Sequence, residues 1–205
     1  MITTAPLSQE HFDAILALGN RVHGDNYLDP QSLQSLFEKS WQRDINASWV
    51  ALSAPTDALV EQRASQRVGD RYLVGFRLTI APQHWQPDEW CTPQLWSVDS
   101  NDVCYFKCNT VDELMQGQGI GSAMLKCSVD SSIAQGASAG LAHIWLASPG
   151  NSAFKYFRAN GAELIKEHPN KWQSLSVEAG YECPVCPSIC HCTAAEMLLR
   201  FDNKY

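Results

Sequence analysis

Apolar and polar residues alternate over positions 103–111, with Cys104, Phe106 and Cys108 set against Tyr105, Lys107 and Asn109. A two-residue period rich in β-branched and aromatic residues is the mark of a strand with two distinct faces. Just downstream the period changes. Ile120, Ala123, Met124, Cys127 and Ile133 recur near helical spacing, which predicts a helix leaving the strand through a short connection. The same two periods partition the rest of the chain. Residues 2–5 predict a short first strand, and Ser8 caps a helix with Phe12, Ile15 and Leu16 on its apolar face, ending at Gly19 or Asn20. A second helix is expected over 30–43, with Asp29 as cap, Pro30 in the first turn and Leu33, Leu36 and Phe37 as the buried stripe. Strands at 48–52 and 72–80 flank a polar stretch, 55–70, that is too long for a tight hairpin and is expected to be mobile or partly helical around 57–66. Beyond the central helix come a buried strand at 141–147 and a short helix at 152–160 closed by Gly161 as a left-handed cap. Strands at 162–168 and 195–201 finish the chain. Alternation that closes on a strand pair implies a mixed sheet covered by helices.

Two stretches do not join this alternation. Residues 81–102 carry Trp85, Trp90 and Trp96 among Pro82, Pro87 and Pro93, and three indoles in a loop-like segment must pack somewhere. They read either as the wall of an acceptor pocket or as a satellite cluster covering the sheet. Residues 170–193 form a Cys-rich insertion before the last strand, with Cys183, Cys186, Cys190, His191 and Cys192 crowded into ten positions. Zinc takes four ligands in a tetrahedron, which Cys183, Cys186, Cys190 and either Cys192 or His191 would supply. Free thiols and a local disulfide are the other readings.

Composition narrows the function classes. With 205 residues, 45% of them hydrophobic, the chain is expected to fold as one domain over 1–205 with a substantial core. Its net charge of −7 opposes nucleic acid and anionic membrane surfaces as partners. The N-terminal residues lack a basic segment followed by an apolar one, and no apolar run is long enough to span a bilayer. A cytoplasmic protein is therefore expected, with thiols that stay reduced or bind metal.

The connection between the strand at 103–111 and its helix holds the candidate chemistry. Gly117, Gly119 and Gly121 stand just ahead of the helix, where free N–H groups and the positive dipole end favour a phosphate. No Gly-Lys-Ser/Thr ending is present, so a Walker A loop is excluded, and the third glycine is misplaced for a dinucleotide fold. The pattern that fits is Q/R-x-x-G-x-G/A, filled by Gln116, Gly119 and Gly121, with Val111 five residues ahead at the strand end. In this the sequence resembles the GCN5-related N-acetyltransferase (GNAT) family. A second block agrees: after the strand at 143–146 come Asn151, Ala153 and Gly161 in the family's order, with Asn151 one residue closer to Ala153 than usual. The family's Tyr position falls on Phe157, and Tyr156 precedes it. The resemblance covers 103–165.

That resemblance implies a mixed, mostly antiparallel sheet flanked by helices and an N-acetyltransferase that moves an acetyl group from acetyl-CoA to an amine by direct attack. It implies that main-chain groups of Asn109, Thr110 and Val111 meet the pantetheine arm at a splayed strand edge. Gln116, Gly117, Gln118, Gly119, Ile120 and Gly121 would hold the pyrophosphate, and Asn151 and Tyr156 would line the far end. The strand carboxylate that many relatives use as base is missing, which leaves Glu113 and His143 as candidates and Tyr156 as the nearest substitute acid. Tyr156 is expected to aim away from the direction of Phe157, one residue turning a helical side chain by roughly 100°. Residues 21–27 are a candidate substrate loop or an ordinary connector. A small-molecule or peptide amine is the implied acceptor, and a homodimer is left open. An acyl-CoA-binding regulator with little turnover and a metal- or redox-responsive Cys loop is the alternative.

Overall fold

The computed structural model describes residues 1–24, 27–178 and 180–201. Strand β1 (Ile2–Pro6) leads through one 3-10 turn into α1 (Phe12–His23). This helix runs past the end expected at Gly19 or Asn20. Gly19 serves packing rather than termination, since a Cβ there would meet Leu28 and the Phe76 ring at 3.2 and 3.3 Å; Gly24, at φ 102°, closes the helix instead. Helix α2 (Pro30–Lys39) begins as expected, the Asp29 carboxylate accepting the Ser32 N–H. It stops short of residue 43 because Arg43 and Asp44, at φ 53° and 59°, form the turn between β2 (Trp41–Gln42) and β3 (Ile45–Asn46). After β4 (Trp49–Ser53) the polar stretch is ordered: α3 (Asp57–Gln62), capped by Thr56, a 3-10 turn and β5 (Arg67–Val68). Then follow β6 (Arg71–Ile80), the tryptophan insertion, β7 (Val103–Val111), α4 (Ile120–Ala134), β8 (Ala139–Trp145), α5 (Ser152–Ala159), β9 (Glu163–His168), α6 (Gln173–Glu178) and β10 (Ala194–Arg200).

The main sheet has the order β1-β4-β6-β7-β8-β10-β9, with β5 beside β6. Every pairing is antiparallel except that of β7 with β8. Helices α1 and α2 cover one face, burying Ile15, Leu18 and Leu33 against Val50, Phe76 and Leu78. Helices α4 and α5 cover the other, where Leu125, Val129 and Phe157 meet Phe106, Met197 and Leu199. Each of these large apolar side chains contributes about 1.5–3 kcal/mol on burial. This is the mixed, mostly antiparallel sheet flanked by helices that the sequence led one to expect, with the Cys-rich insertion ahead of the last strand.

Two irregularities in this sheet position the site. β7 and β8 pair only at Val103, Cys104 and Tyr105, opposite Ala139, Gly140 and Leu141, and then diverge. The Phe106 ring lies so close over Gly140 that a Cβ there would stand 2.2 Å from it, so this aromatic requires a glycine on the neighbouring strand. The register of β6 with β7 also shifts: Leu78 pairs with Cys108 and Thr79 with Phe106, which leaves Lys107 as the extra residue of a bulge.

Candidate active site

The divergence of β7 and β8 opens a cleft of about 470 Å³. Of the residues expected to hold the cofactor, Asn109, Val111, Gln116, Gly117, Gly119, Ile120, Gly121 and Tyr156 line it. Gln118 and Asn151 stand outside the lining, and Thr110 turns its hydroxyl to His23 Nε2 at 2.8 Å. Gly117 and Gly119 sit at φ 75° and 76° with nothing within 4 Å of where a Cβ would be, so backbone conformation demands them. Gly121 is demanded by crowding: a Cβ would meet Asn109 Nδ2 at 3.3 Å and the Tyr156 ring at 3.4 Å. Gly119 caps α4, and the N–H groups of Ile120, Gly121 and Ser122 precede the helix's first internal hydrogen bond, from Ala123 N to the Gly119 carbonyl. The loop thus leaves free N–H groups at a helix start open to the cleft, an arrangement suited to an anion.

Beneath that loop lies a residue the sequence did not single out. Arg77 on β6 is fully buried, and its Nη2 donates to the Tyr156 hydroxyl at 3.0 Å while Nε and Nη1 have no protein partner. Its guanidinium sits 5.1 Å from the Phe106 ring centre and 5.7 Å from that of Phe157. A cation interrupting a buried strand was the available signal. Tyr156 donates its own hydroxyl proton to the Gly121 carbonyl at 2.8 Å. Burial pushes its pKa up, against the opposing charge of Arg77. Phe157 packs into the core and meets the cleft only along its inner wall. The 149–151 turn, with Gly150 and Asn151 at φ 63° and 53°, sets this phase of α5.

A second cavity of about 590 Å³ lies between the tryptophan insertion, β7, β8 and the Cys-rich insertion. Tyr27, Lys107 and His143 border both cavities. Trp85 and Trp90 line the second one, whereas Trp96 is fully buried against Val103, Leu141 and Leu198 and donates its Nε1 proton to Glu196. The insertion therefore serves as wall and as sheet cover at once. His143 Nε2 donates to the Trp90 carbonyl at 2.7 Å, which leaves Nδ1 to accept the Tyr105 hydroxyl at 3.1 Å. Burial, with the charge of Lys171, pushes the His143 pKa down to about 4. Lys171 itself reaches over the Trp90 ring, its Nζ 5.3 Å from the centre.

On the α1 side, His23 and Tyr27 stack at 4.3 Å, and Cys108 Sγ lies 3.3 Å from Thr110 Oγ1 and 4.0 Å from His23 Nε2. The segment expected as a substrate loop thus brings His23 and Tyr27 to the cleft, while Asp25 and Asn26 lie outside the described residues. Arg21 has a different task, pairing with Asp112 at 2.6 Å and with Glu113 at 2.6 Å. Glu113 borders neither cavity and is held by Arg21 and Arg63 in a network anchored on the buried Asp112. Burial alone would raise the Asp112 carboxyl, and hydrogen bonds from Arg63 and Gln66 hold it below its ordinary value.

At the far wall, the thiols of Cys183, Cys186, Cys190 and Cys192 converge, all four Sγ atoms within 4.8 Å of one another. His191 is exposed outside this group, with Nδ1 3.3 Å from Asn170 Oδ1.

No protein-family model and no curated protein sequence matches the chain. Solved structures do. The NatC complex bound to Gag peptide and CoA matches with a TM-score of 0.65 at 12% identity, over 98% of this chain and 99% of that one. The ribosomal-protein-alanine N-acetyltransferase from Brucella melitensis matches at 0.63 and 12% identity, over 97% and 99%. YncA from Salmonella typhimurium, described with its cofactor acetyl-CoA, matches at 0.63 and 13% identity, over 98% and 95%. The protein has the GNAT fold. Among the described residues no helix is long and apolar enough to cross a membrane.

Proposed function

We propose that this protein is an N-acetyltransferase that moves the acetyl group of acetyl-CoA to a primary amine carried on an apolar or aromatic body. The observation that carries the reading is that the anion-cradling cleft and the aromatic cavity share the border Tyr27, Lys107 and His143. One opening fits a phosphate-bearing acyl donor and the other, walled by Trp85, Trp90, Tyr105 and Trp172 with Asp88, Lys107 and Lys171 beside them, an aromatic amine, so the two meet at one place. The relatives in fold include proteins described with CoA, acetyl-CoA and a peptide.

The geometry supports the following roles. Main-chain groups of Asn109 and Val111 lie along the free edge of β7 for the pantetheine arm, and the start of α4 with its glycines takes the pyrophosphate. Bound there, acetyl-CoA supplies a thioester whose thiol is a good leaving group. The attacking amine must lose a proton. His143 is neutral at physiological pH and its Nδ1 already receives the Tyr105 hydroxyl, so Tyr105 accepts the amine proton, directly or through water, while passing its own to His143, whose low pKa makes it a transient holder that returns the proton through Tyr105 to the departing CoA thiolate. The carbonyl of Trp90 fixes the imidazole tautomer that this relay needs. Tyr156 positions rather than protonates, because its hydroxyl proton is committed to the Gly121 carbonyl and its oxygen to Arg77.

The test is thiol release from acetyl-CoA with a panel of amines. Tryptamine-like and phenylalkyl amines and peptides with aromatic first residues are expected to turn over faster than polyamines and aminoglycosides. Preference for polycations would overturn the acceptor class, and release with none of the panel would count against the reaction.

A further inference from the structure

The insertion over residues 170–193 poses a folding problem. Its one helix, α6, buries no residue, and Leu175, Val177, Val185 and Ile189 are all exposed. Ordering such a loop costs about 1–2 kcal/mol per residue in backbone entropy alone, and little apolar burial offsets it. What converges inside it is four thiols. Cys183, Cys190 and Cys192 are buried and Cys186 half-buried. Cys192 Sγ lies 3.7 Å from both Cys183 Sγ and Cys186 Sγ. A disulfide would require about 2.05 Å. A metal–sulphur bond of about 2.3 Å sets the edge of a tetrahedral tetrathiolate at about 3.8 Å, and the observed spacing is that edge.

The surroundings agree. The main-chain N–H groups of Val185, Cys186 and Cys192 and the Trp145 indole lie near the sulphurs of the cluster. Such donors offset the charge left when four thiolates bind one divalent ion. Ser176 on α6 accepts the Cys190 N–H at 2.9 Å, tying the knot to the helix. Trp145, Trp172 and Tyr181 pack on the cluster. Trp145 borders the cofactor cleft, and Trp172 and Tyr181 border the aromatic cavity.

We propose that Cys183, Cys186, Cys190 and Cys192 together bind one tetrahedral divalent metal ion, zinc by the chemistry of the ligands, and that this ion fastens the insertion as a wall of the aromatic cavity. The metal site stands on the thiols alone. Only the statement that the ion shapes acceptor binding rests on the acetyltransferase reading.

The full chain, produced with zinc in the medium and purified under reducing conditions without chelator, is examined by elemental analysis. About one zinc per chain is expected, and cobalt(II) in its place gives the strong visible bands and sulphur-to-cobalt charge transfer of a tetrahedral thiolate site. Cys190→Ser is expected to hold the ion at least about tenfold more weakly. Should that variant not fold, wild-type protein stripped by chelator decides: amide exchange over 170–193 is expected to accelerate by about tenfold or more while β6 and β7 stay protected, and zinc restores it. With an active preparation, stripping raises KM for the acceptor more than that for acetyl-CoA. Less than about a tenth of an equivalent of metal after zinc is offered, a pale octahedral cobalt spectrum, or a mass showing paired cysteines would each overturn the site. Bound zinc with no thiol release from acetyl-CoA would leave the metal site standing and remove the acetyltransferase reading.

Discussion

At the residue scale, His143 draws its chemistry from burial beside Lys171, which brings its pKa down to about 4 from an ordinary 6.5. Neutral imidazole is therefore present throughout the physiological range, and kcat/KM is expected to show no inflection from this residue near 6.5. His143→Ala should lower kcat by about 10²–10⁴, the range of a proton-transferring group; a loss under tenfold would remove His143 from the relay. The same shift has a stability consequence whose sign is set by linkage. The unfolded chain binds a proton at His143 near pH 6.5 and the folded chain only near 4, so the stability it contributes is present above 6.5 and lost as pH falls toward 4. The loss is roughly 3–4 kcal/mol at most, and His143→Gln, compared with wild type in denaturant at pH 7 and pH 4.5, should reveal it as a shrinking difference. Tyr156→Phe tests the opposite assignment. It is expected to leave kcat within about tenfold while lowering thermal stability, because Arg77 would lose its one side-chain hydrogen bond. A larger loss of kcat with acetyl-CoA affinity intact would make Tyr156 the acid.

At the scale of elements, the strand–loop–helix unit of β7 and α4 is where sequence and structure agree most closely, and the agreement has a physical reason. Strand alternation, positive-φ glycines and helical spacing are local properties, so the order of elements and the glycine turn at the start of α4 were legible from 103–134. The misses depend on contacts across the fold. Gly19 looks like a terminator until Phe76 and Leu28 are seen against it. The phase of α5, which puts the Tyr156 hydroxyl on Arg77 and Gly121 and packs the Phe157 ring into the core, follows a turn with two left-handed residues. The Tyr105–His143 hydrogen bond joins strands that are neighbours only through the crossover, and Cys108 beside His23 joins a strand to a helix packed on it. Within the cradle the glycines make separable predictions. Gly119→Leu places a side chain at φ 76°, a strain of about 1–2 kcal/mol. Gly121→Val presses on Asn109 and Tyr156. Both are expected to weaken CoA binding by about tenfold or more, read by calorimetry, and unchanged affinity in both would remove the phosphate from this loop.

At the scale of the whole molecule, one sheet carries two layers of helices, and two insertions, 81–102 and 170–193, close over the end where β7 and β8 part. Part of the acidic balance of the chain lies in internal pairs, Asp112 with Arg21 and Arg63, tying α1 and the segment after α3 to the end of β7, and Glu196 with His168, joining β10 to β9. Glu196 also accepts from Thr92 and Trp96, so the tryptophan insertion is bolted to β10 by a buried carboxylate. On the proposed function, this end of the sheet brings an acyl donor and an aromatic amine together. The most direct measurement is thiol release from acetyl-CoA by the purified protein, with and without an aromatic primary amine, alongside mass analysis of the amine. The account predicts amine-dependent thiol release matched mole for mole by a 42-Da gain on the amine nitrogen, the mass of an acetyl group replacing hydrogen in acyl transfer. Acetyl-CoA bound at the cradle but released as thiol at the same rate with or without amine, and no acylated product, would contradict it.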